Sequence, residues 1–316
     1  GTARTISGSV AAPMINFNGA DNVTIDGLNT GGNSLIISNL SNDVLASTIK
    51  FVNDATNNNV TKCTISGSST AATIGTIWFS TGTATGNTGN SINNCDIGPA
   101  GSNLPFNAIY SLGTSIAIPN TVTIDANRIF DYFSAATASI GLNVTATGNT
   151  GWTITNNKLF QTGNRIFTSA NTHSGIFIGT GAGYTITGNT IGFANSGGTG
   201  TTNLLGITTL GTFGGTFPSS YTLGTAVLNA TRYIALNCAF TAGGTVSSIQ
   251  NNTIGGFALL TSSGAATTNG ILCGINVTSG NANIGTTTGN TIGATTGNGS
   301  LYSAASNAGG TIVGIY

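Results

Sequence analysis

The phrase YTITGNTIGF at Tyr184–Phe193 returns in altered form as WTITNNKLF from Trp152 and as TTTGNTIGA from Thr286. Setting the last apolar residue of each copy in register gives Leu28, Ile65, Ile97, Ile129, Leu159, Ile191, Ile254 and Ile292, most of them about 32 residues apart. One interval, from Ile191 to Ile254, spans 63 residues, and a degenerate copy from Tyr221, YTLGTAVLN, is expected to fill it. A unit that repeats at this period cannot bury its apolar residues alone, so it must pack on its neighbours.

Within each copy, an apolar residue stands five positions before the anchor: Val23, Val60, Ile92, Ile124, Ile154, Ile186 and Ile249, with Thr287 the exception. Polar residues flank it, which is the alternation of a strand with one buried face. Two positions before the anchor runs Asp26, Cys63, Cys95, Asn127, Asn157, Asn189, Asn252 and Asn290. Side chains two apart share a face, so this column must point inward with the anchor. All three columns face inward only if the chain bends between the first and second. Asn94, Asn156, Gly188, Asn251 and Gly289 suit a bend at positive φ, whereas Ile25, Lys62 and Ala126 are expected to turn by another geometry. A further strand per unit is read at Ile140–Val144, Gly175–Ile178, Gly206–Ile207, Tyr233–Leu236, Gly274–Val277 and Gly314–Ile315.

Short strands joined by polar turns at this period predict an all-β, right-handed parallel β-helix of the pectin-lyase-like kind, a solenoid of about ten coils of roughly 32 residues. The whole of 1–316 reads as one such solenoid, expected to be an excerpt of a longer chain. Stacked amides can bond along their column, and Cys63 and Cys95 are expected to be buried free thiols rather than a disulfide.

Composition agrees. Only 4% of residues are charged and no Glu occurs, which disfavours long helices, while abundant Ile, Val and Thr argue against disorder. Seven basic residues balance seven Asp, so the basic surface that nucleic acid requires is absent. No apolar run of membrane-spanning length occurs, and membrane insertion is not expected.

Phrases such as DNVTIDGLNT, STIKFVNDATNNNVTKCTISGSS, NTIGG and ANIGTTTGNTIG, in this number and order, resemble the repetitive β-helix regions of very large secreted surface proteins from Bacteroidetes. That resemblance spans almost the whole chain. It implies a secreted, cell-surface location, export by the type IX secretion system with its components as transient partners, and adhesive roles that include gliding motility.

The same fold hosts polysaccharide lyases and hydrolases, so acids matter. Hydrolysis needs a carboxylate pair, and lyases need acids gathered around a metal. Asp21, Asp26, Asp43, Asp54, Asp96, Asp125 and Asp131 are scattered, with Asp26 read as an Asn substitute in the inward column. The best group is Asp96 and Asp125 with Arg128, and Asp96 and Arg128 are expected to be vertical neighbours. His173 in NTHSG reads as a turn residue. Trp152 and Tyr184, at equivalent positions, suggest an aromatic stack that could bind a sugar ring if exposed. The repeated T-x-T at Thr153–Thr155, Thr185–Thr187 and Thr286–Thr288 resembles an ice-binding face, interrupted by Asp125 and Gln250. No catalytic, cofactor or metal-binding residue is assigned. The expected function is a non-enzymatic structural and adhesive segment whose partners are surface glycans; a polysaccharide-binding or polysaccharide-degrading protein and an ice-binding solenoid are the alternatives.

Overall fold

The computed structural model describes residues 3–28, 35–145, 148–206, 213–214, 222–223, 229–262, 269–293, 301–305 and 311–316. Three long parallel sheets carry the fold. The first has nine strands, from Arg4–Gly8 through Cys63–Gly67 and Lys158–Phe160 to Thr291–Ile292. The second also has nine, from Ile15–Asn18 to Ile312–Ile315, and the third has eight, from Thr24–Asp26 to Ala282–Ile284. The chain visits first, second and third sheet in turn and then returns to the first one rung further on, which is a parallel β-helix. In the later coils a fourth sheet of short strands, Arg165–Ile166, Thr202–Leu205, Phe257–Thr261 and Leu301–Ala305, is inserted between first and second.

Register follows the sequence columns over most of the length. Ile65, Ile97, Ile129, Leu159, Ile191, Ile254 and Ile292 stand one above another in the first sheet. Val60, Ile92, Ile124, Ile154, Ile186 and Ile249 do so in the third. From Ile65 to Ile191 the members of both columns are at most 1% exposed, and each contributes about 1.5–3 kcal/mol of burial. In the second sheet, Phe17, Phe51 and Phe79 stack with ring centroids 4.8 and 4.6 Å apart.

Between third and first sheet the chain turns a corner in two residues. Lys62, Asn94, Ala126, Asn156, Gly188 and Asn251 all sit there at φ between 53° and 71°. Lys62 and Ala126 therefore use the same left-handed geometry as the asparagines, not another one. What tolerates this strain is the amide ladder beside it. Asn127, Asn157, Asn189 and Asn252 each donate from backbone N–H and from Nδ2 to the Oδ1 of the next amide, at 2.9–3.0 Å. The same Nδ2 groups reach the carbonyls of Ile92, Ile124, Ile154 and Ile186 at 2.8–2.9 Å. Every polar atom of these four buried side chains is satisfied. Two shorter ladders, Asn58 to Asn90 and Asn87 to Asn120, repeat the arrangement at other corners.

Cys63 and Cys95 continue the main ladder column as buried free thiols, each donating to a carbonyl of its own coil, Thr61 or Asn93. The glycines that open the second-sheet phrases have a steric cause. A Cβ on Gly175 would lie 2.7 Å from Ile191 Cγ2, and one on Gly274 would lie 2.9 Å from Ile292 Cγ2, because the opposing sheets approach closely there.

At the two ends of the stack the expected spacing fails. In the first coil the column positions belong to Ile25, Leu35 and Ile37, paired with Val60, Cys63 and Ile65. Val23 is 39% exposed and Leu28 80% exposed. Asp26 is not an inward Asn substitute: it stands beside Thr61 and pairs with Lys62 at 3.6 Å. The cause is a longer corner between Asp26 and Leu35, which a fixed spacing cannot register. In the last third-sheet strand Ile284, not Thr287, pairs with Ile249, and Gly285, not Gly289, is the residue at positive φ.

The long interval between Ile191 and Ile254 holds no extra coil. Ile191 pairs directly with Ile254, Ile186 with Ile249 and Ile176 with Leu236, so the first and second sheets show nine rungs rather than ten. Tyr221, from which a further copy was expected, lies outside the described residues, as does Ile207. The chain leaves the stack at Gly206 and rejoins it at Asn229, whose N–H donates to the Gly206 carbonyl. Phe213–Gly214 and Thr222–Leu223, inside this insertion, form the one antiparallel strand pair among the described residues.

Two outcomes follow. Replacing 207–228 by a two-residue Asn-Gly turn, which an N–H to C=O contact of this kind accommodates, should leave the thermal unfolding midpoint within a few degrees of the parent. Asn189→Ala should lower stability by at least about 2 kcal/mol in urea unfolding, because Asn157 loses its acceptor and the Ile154 carbonyl a donor.

Candidate functional site

Seven carboxylates are the only acids in the chain, and each makes local contacts. Asp96 sits beside Arg128 in register and accepts two hydrogen bonds from its guanidinium, the vertical pair that the columns require. Asp125, on the third sheet, accepts from Thr155 Oγ1 at 2.6 Å and Asn156 Nδ2 at 2.9 Å. The sequence group of Asp96, Asp125 and Arg128 is thus divided between two sheets, with each acid bonded to different partners. Asp21 binds Thr56, Asp43 caps Leu45, and Asp26 caps Leu28 besides pairing with Lys62.

Two acids have environments that sequence reading did not anticipate. Asp54 accepts from the backbone N–H groups of Thr83, Ala84, Thr85 and Gly86 at 2.8–3.1 Å and from the Thr83 hydroxyl. Desolvation opposes its charge, but the bonds from Thr83, Ala84 and Thr85 outweigh it and hold the carboxyl well below its usual range. Asp131 receives Arg165, Thr162 N–H and Thr162 Oγ1, and Arg165 also donates to Gln161 Oε1 at 2.5 Å. Both partners of this ion pair are nearly buried, with side chains 11% and 12% exposed. The TGTATG composition at 81–86 was the available signal for the first; nothing in the spacing announced the second.

His173 is not a turn residue. It lies in the strand Thr172–Ile178, buried, with its ring 4.0 Å from that of Phe167. The Ser139 N–H donates to Nδ1 at 3.0 Å, so the neutral ring carries its proton on Nε2, which has no hydrogen-bond partner. Burial pushes its pKa down to about 3.

Trp152 and Tyr184 are at equivalent heights, as their neighbours Thr153 and Thr185 show, but both are at most 1% exposed. They face inward: Trp152 Nε1 donates to the Asn120 carbonyl at 2.9 Å and packs edge-on against Phe79, while Tyr184 donates to the Thr180 carbonyl. A sugar ring cannot reach either of them. The exposed aromatic contact is elsewhere, where Lys50 Nζ lies 4.0 Å from the Trp78 ring on the outer side of the second sheet.

On the outer side of the third sheet, Thr153 and Thr155 stand beside Thr185 and Thr187, with Asp125 and Gln250 on the adjoining rungs. Thr286–Thr288 falls after the last strand of that sheet, Ala282–Ile284, and does not extend the ranks. Paired threonines therefore occupy two rungs only. No group of three or more metal-ligating side chains occurs among the described residues, and none of their helices is long and apolar enough to cross a membrane. Cys238 and Cys273 are buried free thiols, pushed up to about 12 and about 11, chiefly by burial.

Comparison with protein-family models, with curated proteins and with solved structures finds no match. Function has to be argued from the geometry.

The His173 geometry predicts acid sensitivity. An imidazole held at about 3 in the fold takes up a proton near 6.5 once unfolded, so its contribution is complete above 6.5 and is lost as pH falls toward 3. Between pH 6.5 and 5 the carboxylates do not yet titrate, and stability should fall in that window. In His173→Asn, which keeps an acceptor near Ser139, urea unfolding should show a flatter dependence there.

Proposed function

We propose that the chain serves as a rigid, non-enzymatic rod, a structural and adhesive segment of a secreted cell-surface protein that holds adhesive regions away from the surface and meets glycans along its side. The observation that carries this reading is the engagement of all seven carboxylates in local contacts, six of them with side chains or backbone of a neighbouring coil and Asp43 within its own loop. Catalytic acids need an open face and a reacting group between them; these carboxylates act as ties between rungs. Nine rungs at about 4.8 Å make a rod on the order of 40 Å long, and repetition is a direct way to gain length.

The outer side of the third sheet supports the glycan part of the reading. Its ranks are short hydroxyl and amide side chains, Asn59, Ser91, Thr123, Thr153, Thr185 and Ser248, set in register and free of like-charge repulsion. Surfaces of this kind offer hydrogen bonds to polyhydroxylated ligands. Export by type IX secretion and a role in gliding adhesion are part of the same proposal and draw on the sequence resemblance alone.

A glycan array and a reducing-end assay on a polysaccharide panel separate the readings. Weak, salt-insensitive glycan binding with no release of reducing ends is expected, and Asp96→Asn with Asp125→Asn should change neither result. Polysaccharide cleavage that disappears in that double variant would overturn the proposal.

A further inference from the structure

The two ends of the stack expose what its middle buries. At one end, Arg4–Gly8 and Ile15–Asn18 have a strand neighbour on one side only; at the other, Thr291–Ile292 and Ile312–Ile315 do. Ile6 is 48% exposed, Ile312 41% and Ile315 53%, whereas Ile37, Ile65 and Ile97 within the stack are fully covered. Unpaired edges with apolar side chains are templates for another chain, and proteins normally blunt them with charges or proline. Across these four strands the only charge is Arg4, and there is no proline.

The exposed residues at opposite ends belong to the same columns. Ile6 heads the first-sheet column that runs through Ile37 and Ile65 and ends at Ile292. Ile15 heads the second-sheet column that runs through Ile49, Ile77 and Ile275 and ends at Ile315. Moving one copy along the axis by nine rungs therefore sets Ile6 over Ile292 and Ile15 over Ile315, isoleucine on isoleucine in both sheets. The third sheet, with eight strands, is left one position short at such a junction.

We propose that copies of this chain join end to end, Arg4–Gly8 of one adding to Thr291–Ile292 of the next and Ile15–Asn18 adding to Ile312–Ile315. The contact is heterologous, because one end of a molecule meets the opposite end of another, so assembly continues into longer rods instead of closing as a dimer. This goes beyond the adhesive reading and does not depend on it, since rods can join whether or not their sides bind glycans.

Sedimentation velocity of the 316-residue chain over a wide concentration range tests it, with electron microscopy of the same samples. Mass should rise with concentration, and rod lengths should fall at integer multiples of the single stack. Ile6→Lys blocks one end and Ile315→Lys the other. Each variant alone should stay monomeric, and their equimolar mixture should give dimers and nothing longer, because each retains one competent end. Ile312→Lys provides a second block of the same end, and all three substitutions are at exposed positions, so unchanged circular dichroism is expected. A parent chain that stays monomeric throughout, or a mixture that gives no dimer, overturns the proposal; so do single variants that elongate as the parent does.

Discussion

The amide-to-amide hydrogen bond between consecutive rungs is the interaction on which the rest of this structure depends. Asn127, Asn157, Asn189, Asn252 and Asn290 form one unbroken chain of such bonds through the core. Each link ties three things at once: the side chain of one rung, the backbone of that rung's corner and the side chain of the next. A slip of one residue would leave buried amides without partners, a cost of about 1–3 kcal/mol for each orphaned group. Vertical register is therefore held more tightly by the corner than by the sheets, whose Ile columns would tolerate small shifts. The left-handed φ of Lys62 and Ala126 fits this view, since a corner fixed by its amide neighbour can impose an unfavourable backbone on an ordinary residue.

Ordered this way, the molecule needs few charges. Hydroxyls and amides cover the outer faces, and the few ionised groups it has are placed between rungs, as with Asp96 and Arg128 or Asp131 and Arg165. Asp54 is the extreme case, one carboxylate gathering a whole loop of backbone N–H groups from the coil beyond. Acids used as fasteners are poor candidates for catalysis, and this links the energetics of the stack to the functional proposal. The insertion between Gly206 and Asn229 shows the converse freedom: because successive rungs are locked to each other, chain can be added at a corner without disturbing Ile191 on Ile254.

Where the corner is short and uniform, sequence spacing located the columns correctly, and the path from Val60 to Ile254 was legible as a solenoid before any coordinates. It was illegible where corners change length. Eight residues between Asp26 and Leu35 displaced the first coil, and Thr286–Thr288 displaced the last third-sheet strand, because alternation marks strands but does not count the residues between them. The 63-residue interval looked like two periods, and arithmetic alone could not distinguish a degenerate coil from an excursion. Side-chain direction at strand starts was the other gap. Trp152 and Tyr184 were correctly matched in height yet point into the core, and His173, amid polar letters that suggest a turn, is buried beneath a neighbouring segment. The short Asn58–Asn90 and Asn87–Asn120 ladders escaped notice because two members do not make a visible column.

Register across the insertion tests the central claim most directly, since there the sequence separation and the spatial neighbour disagree most. Thr185 and Ser248 are 63 positions apart yet paired on adjacent strands of the third sheet, within the Cα separation that a disulfide tolerates. In a background with the four native cysteines replaced, oxidation of Thr185→Cys with Ser248→Cys should give an intramolecular disulfide in nearly all molecules, and Thr185→Cys with Tyr221→Cys should not. Efficient crosslinking of the second pair and failure of the first would mean that an additional coil intervenes, and the stacking described for this chain would be wrong.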